Sequence, residues 1–165
     1  SPRARYRVLY TRSATNLCAA VVDATSNLGL PLDGQQFPFS GFAADNETYV
    51  YETDDVAEAR FLQAVFNSET LDALIKPSQT RGQWGERDIH KRPLQFPIPQ
   101  FDPADANHLR LAELGQRCAD KVAQVLPELA ARYRSVGKLR GEVRRLLSAE
   151  LAEIDGLARQ VLGME

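Results

Sequence analysis

Leu111-Ala112-Glu113-Leu114-Gly115-Gln116-Arg117-Cys118-Ala119-Asp120-Lys121-Val122-Ala123-Gln124-Val125 carries its apolar side chains at intervals of three and four. That spacing puts Leu111, Leu114, Cys118, Val122 and Val125 on one face of an α-helix. The pattern runs on through Leu129, Tyr133 and Val136, is interrupted at Gly137, and resumes at Val143, Leu147, Leu151, Ile154 and Val161. The simplest object with this pattern is two long helices packed antiparallel and joined near Ser135-Val136-Gly137. Pro127 is expected to kink the first helix or to restart it at its first turn. The stripe is read as an interior seam.

On the amino-terminal side of Phe101-Asp102-Pro103 the chain has a different character. Tyr6–Tyr10 alternates as a strand, with Arg7 and Leu9 on one face. Leu17–Val22 reads as a second strand, paired with the first across a turn at 13–16. Thr48-Tyr49-Val50-Tyr51 is aromatic and β-branched, and reads as a third. Gly29, Pro31, Gly34, Pro38 and Gly41 mark 25–41 as loop. A helix capped by Thr53 or Asp54 follows, with Ala57, Phe61, Leu62, Val65 and Phe66 on its apolar face. Asn67-Ser68 breaks it, and a short second helix runs from Glu69 to Ile75, before Pro77. Pro93, Pro97 and Pro99 predict an extended edge segment with Leu94, Phe96 and Ile98 pointing one way. The expected fold is α+β: a small mixed β-sheet with short helices over 1–101, followed by a long antiparallel helical hairpin over 102–165.

Of the 165 residues, 44% are hydrophobic and 25% charged, as in ordinary globular chains. No apolar run approaches the ~20 residues of a membrane span. The first residues hold neither an initiating Met nor the apolar stretch of a signal peptide, so a cut or processed cytoplasmic chain is expected. Cys18 and Cys118 are expected as buried free thiols, with a disulfide as the other reading. The net charge of −2 is unevenly spread: +4 over 1–12, −9 over 13–75, +3 over 76–101, and ten against ten over 102–165. The two basic stretches are candidates for one patch.

Catalytic motifs are missing. There is no Gly-x-Gly cluster for a cofactor, no phosphate loop and no paired His or Cys for a metal. Ser135-Val136-Gly137-Lys138 matches Ser-x-x-Lys but has no companion motif. The distinctive stretch is Lys76 to Pro93. Lys76, Arg81, Arg87, Lys91 and Arg92 are candidates for phosphate contacts. Gln79, Gln83 and Trp84 add amides and an aromatic ring that suit contacts on the base side, and His90 is a further candidate DNA contact. The bland reading makes the basic stretches solvated loops, packs Trp84 under the loop, pairs Arg87 and Asp88 with each other's neighbours, and has His90 satisfy a backbone carbonyl.

The run Trp84-Gly85-Glu86-Arg87-Asp88-Ile89-His90-Lys91-Arg92-Pro93-Leu94-Gln95-Phe96-Pro97-Ile98-Pro99, followed by Phe101-Asp102-Pro103, resembles the carboxy-terminal region of N6-adenine DNA methyltransferases of restriction-modification type. Glu58–Ser68 is similar to the helix that precedes this run in their specificity regions, and Glu150–Ala158 to the helix that closes such proteins. The likeness touches most of the chain between 6 and 162. It implies a target-recognition region that positions double-stranded DNA for base extrusion and S-adenosylmethionine-dependent methylation. The family's Asp or Asn followed by Pro-Pro-Tyr or Pro-Pro-Phe is missing, as is its glycine-bearing cofactor motif. The resemblance therefore implies a non-catalytic piece that carries no cofactor itself. The methyl-transfer domain would lie upstream or on another chain, with a restriction or specificity subunit as a further partner. In that reading residues 102–165 are a spacer or docking arm. The rival reading is a helical protein–protein interaction module without direct DNA contact.

Overall fold

The computed structural model describes residues 4–32, 35–40, 44, 46–82, 85–86 and 88–164, with 27–32, 35–40, 81–82 and 85–86 described by backbone alone. The fold is α+β. Strand β1 (Tyr6–Thr11) is the centre of an antiparallel sheet, flanked by β2 (Ala19–Asp23) and β5 (Thr48–Thr53). The sheet is purely antiparallel rather than mixed, because each neighbour of β1 runs against it. Val8 and Tyr10 face the core, while Arg7 sits on the opposite side directly across from Glu52 and pairs with it at 3.0 Å.

Residues 27–40 depart from the loop expectation. They form a separate two-stranded ladder, β3 (Asn27–Leu32) with β4 (Gln35–Ser40). Pro31 lies opposite Gln36, and Pro38 opposite Gly29. In a two-stranded ribbon each strand has a free edge, so a proline can turn its missing N–H outward.

Helix α1 (Val56–Phe66) is capped by Asp55, one residue later than expected, whose carboxylate accepts from the N–H groups of Ala57 and Glu58. Thr53 instead receives the Asp55 N–H and donates to Glu58. Helix α1 lies between the sheet and helix α3 (Ala106–Arg132) and touches both, so Ala59, Phe61, Ala64, Val65 and Phe66 are all buried. Gly115 makes the close approach possible, since a methyl group there would lie 2.4 Å from the Arg60 carbonyl oxygen.

Helix α2 (Glu69–Ile75) has the expected bounds. Its exposed N–H groups are satisfied twice, by Ser68 and by Asp155 from helix α5 (Ser148–Val161). After a single 3₁₀ turn (Lys76–Ser78), β6 (Arg81–Gly82) pairs with β7 (Gly85–Glu86). The segment after it is not extended from its start. Arg92–Gln95 forms a second 3₁₀ turn that seats Pro93 near its beginning, where a missing N–H costs nothing. Leu94 is therefore 60% exposed, whereas Phe96 and Ile98 pack against the core.

Helix α3 runs unbroken through Pro127 and turns back at 133–135 into α4 (Val136–Leu146), which gives way at Leu147 to α5. The expected hairpin is thus present, with its returning limb in two pieces. Its base shares one hydrophobic cluster with the sheet and α1, through Leu111, Leu114, Ile154 and Leu162, so the core crosses the change of character at 101 and 102 without a gap. Cys118 is half-buried and Cys18 is exposed, and both thiols are free. Cys18 faces outward because Leu17 and Ala19 on either side of it point into the core. Among the described residues, no helix is long and apolar enough to cross a membrane.

Candidate nucleic-acid interface

The turn after β1 is held along its length by residues far away in sequence. The N–H groups of Ile89 and His90 both donate to the Arg12 carbonyl, at 3.0 and 2.9 Å. Ser13 bridges Asp88. The Gln79 amide nitrogen donates to the Ala14 carbonyl at 3.3 Å. The Lys76 ammonium donates to the Thr15 carbonyl and to the Asn16 side chain, and faces Asp72 at 3.5 Å. Asp72 in turn accepts the Leu17 N–H at 2.7 Å. Residues 12–17 are clasped by residues 72–90, and Arg12 is drawn onto the 88–92 segment.

This clasp decides the roles of three candidates. Lys76, Gln79 and His90 serve as fasteners inside the protein. Gln79 is buried and its amide oxygen has no partner among the described residues. His90 adopts φ 46°, a left-handed conformation that costs a non-glycine residue free energy and is retained only where its surroundings enforce it. Its Nδ1 accepts from Arg12 Nε at 3.3 Å, which leaves the ring proton on Nε2, 3.6 Å from Asp88. Asp88 also accepts from the Thr80 hydroxyl.

Two candidates are not taken up by the clasp. Lys91 is exposed and has no partner among the described residues, and Arg92 is half-buried with its Nε unpaired. The backbone of Arg81 pairs with Glu86. Gln83, Trp84 and Arg87 lie outside the described residues.

The first basic stretch is largely neutralised by the acidic segment that follows it. Arg5 binds Asp23 through two nitrogens and its own N–H reaches Asp54. The Arg5 hydrogen bond holds the Asp23 carboxyl well below the usual carboxylate range. Arg7 pairs with Glu52, and Arg12 lies 3.6 Å from Glu47. The positive edge formed with 88–92 therefore comes mainly from Lys91 and Arg92, with Arg12 shared between Glu47 and His90.

Two hollows lie elsewhere. One, of about 400 Å³, is lined by Tyr10, Tyr49, Phe66, Phe96 and Phe101. Burial pushes the Tyr10 hydroxyl up to about 12, and that hydroxyl has no partner. The other, of about 580 Å³, is lined by residues 17–21 at edge strand β2 together with Val122 and Leu126 of α3 and Leu139 and Val143 of α4. Among the described residues, no group of three or more His, Cys, Asp or Glu side chains is gathered to hold a metal.

A second concentration of positive charge lies at the hairpin tip, where residues 132–145 hold six bases and one acid. A charge count over all of 102–165 averages it away. A window of one or two helical turns would have found it.

No family model matches the chain, and neither a curated protein nor a solved structure matches it.

Proposed function

We propose that the chain is the DNA-facing target-recognition portion of a cytoplasmic N6-adenine DNA methyltransferase of a restriction-modification system. It positions double-stranded DNA for S-adenosylmethionine-dependent methylation by a catalytic domain outside these residues. The resemblance of residues 84–99 to that family supports the reading. The observation that carries it is the clasp. Segments more than 70 residues apart meet where Arg12 contacts His90, and beside that contact lie Lys91, exposed and unpaired among the described residues, and Arg92, half-buried with its Nε unpaired among them. Cations of this kind suit phosphate contacts, and a rigid backing holds them in register for groove readout.

The test is to replace Arg81, Arg87, Lys91 and Arg92 together with alanine and to titrate a labelled duplex over a range of salt. The expected outcome is weaker binding and a shallower salt dependence, by about 0.9 per lost phosphate contact. Unchanged affinity and slope would remove the assignment.

The helical interaction module has one observation in its favour, the 580 Å³ groove between β2 and the hairpin with its apolar lining. In that reading the chain has little duplex affinity at any salt, so the same titration separates the two.

A further inference from the structure

The 76–92 stretch leaves the strongest charge feature of the molecule unused. Between residues 132 and 145 six side chains are basic and only Glu142 is acidic, a net of +5, while the rest of the hairpin region holds four bases and nine acids, a net of −5. The hairpin is therefore electrically sorted along its length, with an acidic base set in the core and a basic tip.

Part of the tip charge serves the fold. Arg144 pairs with Glu69 at the start of α2, and Arg145 with Glu142 within α4. Arg132 lies over the Tyr133 ring, 5.3 Å from its centroid. Arg134, Lys138 and Arg140 have no ion pair or hydrogen bond among the described residues, and α4 has no buried residue at all.

The fold does not account for these three cations. Lys138 sits in the first turn of α4, the positive end of the helix dipole, where a cation is unfavourable, while Arg134 lies between that end and the carboxy-terminal end of α3. Ser135 provides no side-chain cap there, so the dipole is not offset locally. Like charges this close also repel one another. Such an arrangement costs the isolated chain stability and is relieved by a polyanion.

The partner's class follows from the surroundings. A lipid surface would need the apolar face of α4 to insert. Leu139 and Val143 of that face instead line the groove shared with α3, which leaves only Val136 and Leu146, at opposite ends of α4, turned to solvent. A regular phosphate backbone needs only accessible cations on a semi-rigid segment: Arg134 and Lys138 are exposed about the start of α4, and Arg140, half-buried, lines the groove less than a turn beyond Lys138.

We propose that the hairpin tip is a second, sequence-independent contact with the phosphate backbone of duplex DNA, made by Arg134, Lys138 and Arg140 on elements separate from the 76–92 stretch. The proposal rests on the chain being DNA-facing.

The test uses the 165-residue chain, a fluorescein-labelled duplex and anisotropy titrations from about 50 mM salt upward. Three proteins are compared: wild type, Arg134→Gln/Lys138→Gln/Arg140→Gln, and Lys91→Gln/Arg92→Gln. The tip variant is expected to lower the salt slope by about 2–3, which is roughly a hundredfold or more in affinity near 0.1 M salt. Its thermal unfolding should fall at or slightly above wild type, since none of the three side chains has a partner to lose and their unfavourable charges are removed. An unchanged slope and affinity in the tip variant, with a weaker Lys91/Arg92 variant, overturns the tip contact and leaves the DNA-facing reading in place. No duplex binding by wild type at the lowest salt overturns both. Binding of anionic phospholipid vesicles that the tip variant alone loses, with duplex binding intact, assigns the tip to membranes and also overturns the proposal.

Discussion

Lys121 and Glu150 join α3 to α5, and the two ends of that ion pair sit in unequal surroundings. The Lys121 side chain is 42% exposed and that of Glu150 only 8%. One carboxylate oxygen takes the ammonium, while the other, Oε2, is buried without a partner. Removing either end therefore has a different cost. Glu150→Gln leaves a lysine that water can solvate, and should cost about 1 kcal/mol. Lys121→Met strands a buried carboxylate and should cost about 2 kcal/mol, below the usual 3–5 for a fully buried pair because one end is already hydrated. Thermal unfolding of the two variants checks the order, and equal losses would contradict it. The Lys121 hydrogen bond holds the Glu150 carboxyl below its usual value. A depressed carboxyl means that the unfolded chain takes up its proton first as pH falls. The contribution of the pair is then complete above the unfolded glutamate value of about 4.3 and disappears as pH drops through the lower folded value. The stability gap between wild type and Glu150→Gln should be full at neutral pH and close in that acidic window.

At the scale of elements, the glycines separate packing from propensity. Gly115 and Gly156 both sit inside helices, and the same substitution should move them in opposite directions. At Gly115 the added methyl would meet the Arg60 carbonyl at 2.4 Å, backbone against backbone, so α1 and α3 must shift apart. Overpacking of about 1–3 kcal/mol outweighs the helix-propensity gain of just under about 1 kcal/mol. At Gly156 nothing lies within 4 Å, so Gly156→Ala should keep that gain and raise the melting temperature. A stabilised Gly115→Ala protein would show that α1 and α3 part at little cost. The elements also show what could be read from the chain. The bounds of α2, the turn of the hairpin and the three sheet strands follow from periodicity and from side chains near in sequence. The β3–β4 ribbon did not, because Gly29, Pro31 and Pro38 break helices and central strands but not a ribbon whose every strand is an edge. The 3₁₀ turn at Arg92–Gln95 was hidden by the same habit of reading alternate prolines as extended chain.

For the molecule as a whole, the candidate site was legible in residue type but not in contact. Lys76, Gln79 and His90 have the chemistry of DNA contacts, and they spend it on carbonyls and side chains of residues 12–16, over 60 to 78 positions of sequence separation. Nothing local in the sequence announces such a partner. The hairpin tip was missed for a different reason, an average taken over too long a stretch. The two halves of the hairpin also differ in what holds them. From 106 to 118 α3 buries His108, Leu111, Ala112, Leu114 and Gly115 where it packs on α1 and α5, whereas no residue of 119–146 is buried. Local opening costs little where few apolar contacts are lost. The distal part of α3 and the whole of α4 should therefore open as a unit with a free energy well below that of global unfolding. The Arg144–Glu69 pair, exposed at both ends, adds about 1 kcal/mol or less to its closure. Native-state hydrogen exchange is the measurement. Amides of α4 should exchange through a low-energy opening, while those of β1, α1 and the first three turns of α3 exchange near the global limit. Duplex added in excess should slow exchange in α4 more than in the body if the tip meets the phosphate backbone, since binding raises the cost of opening the segments it touches. Protection of α4 equal to that of α1 in the free protein would show the hairpin to be a single rigid extension of the core, and the division drawn at residue 119 would fall.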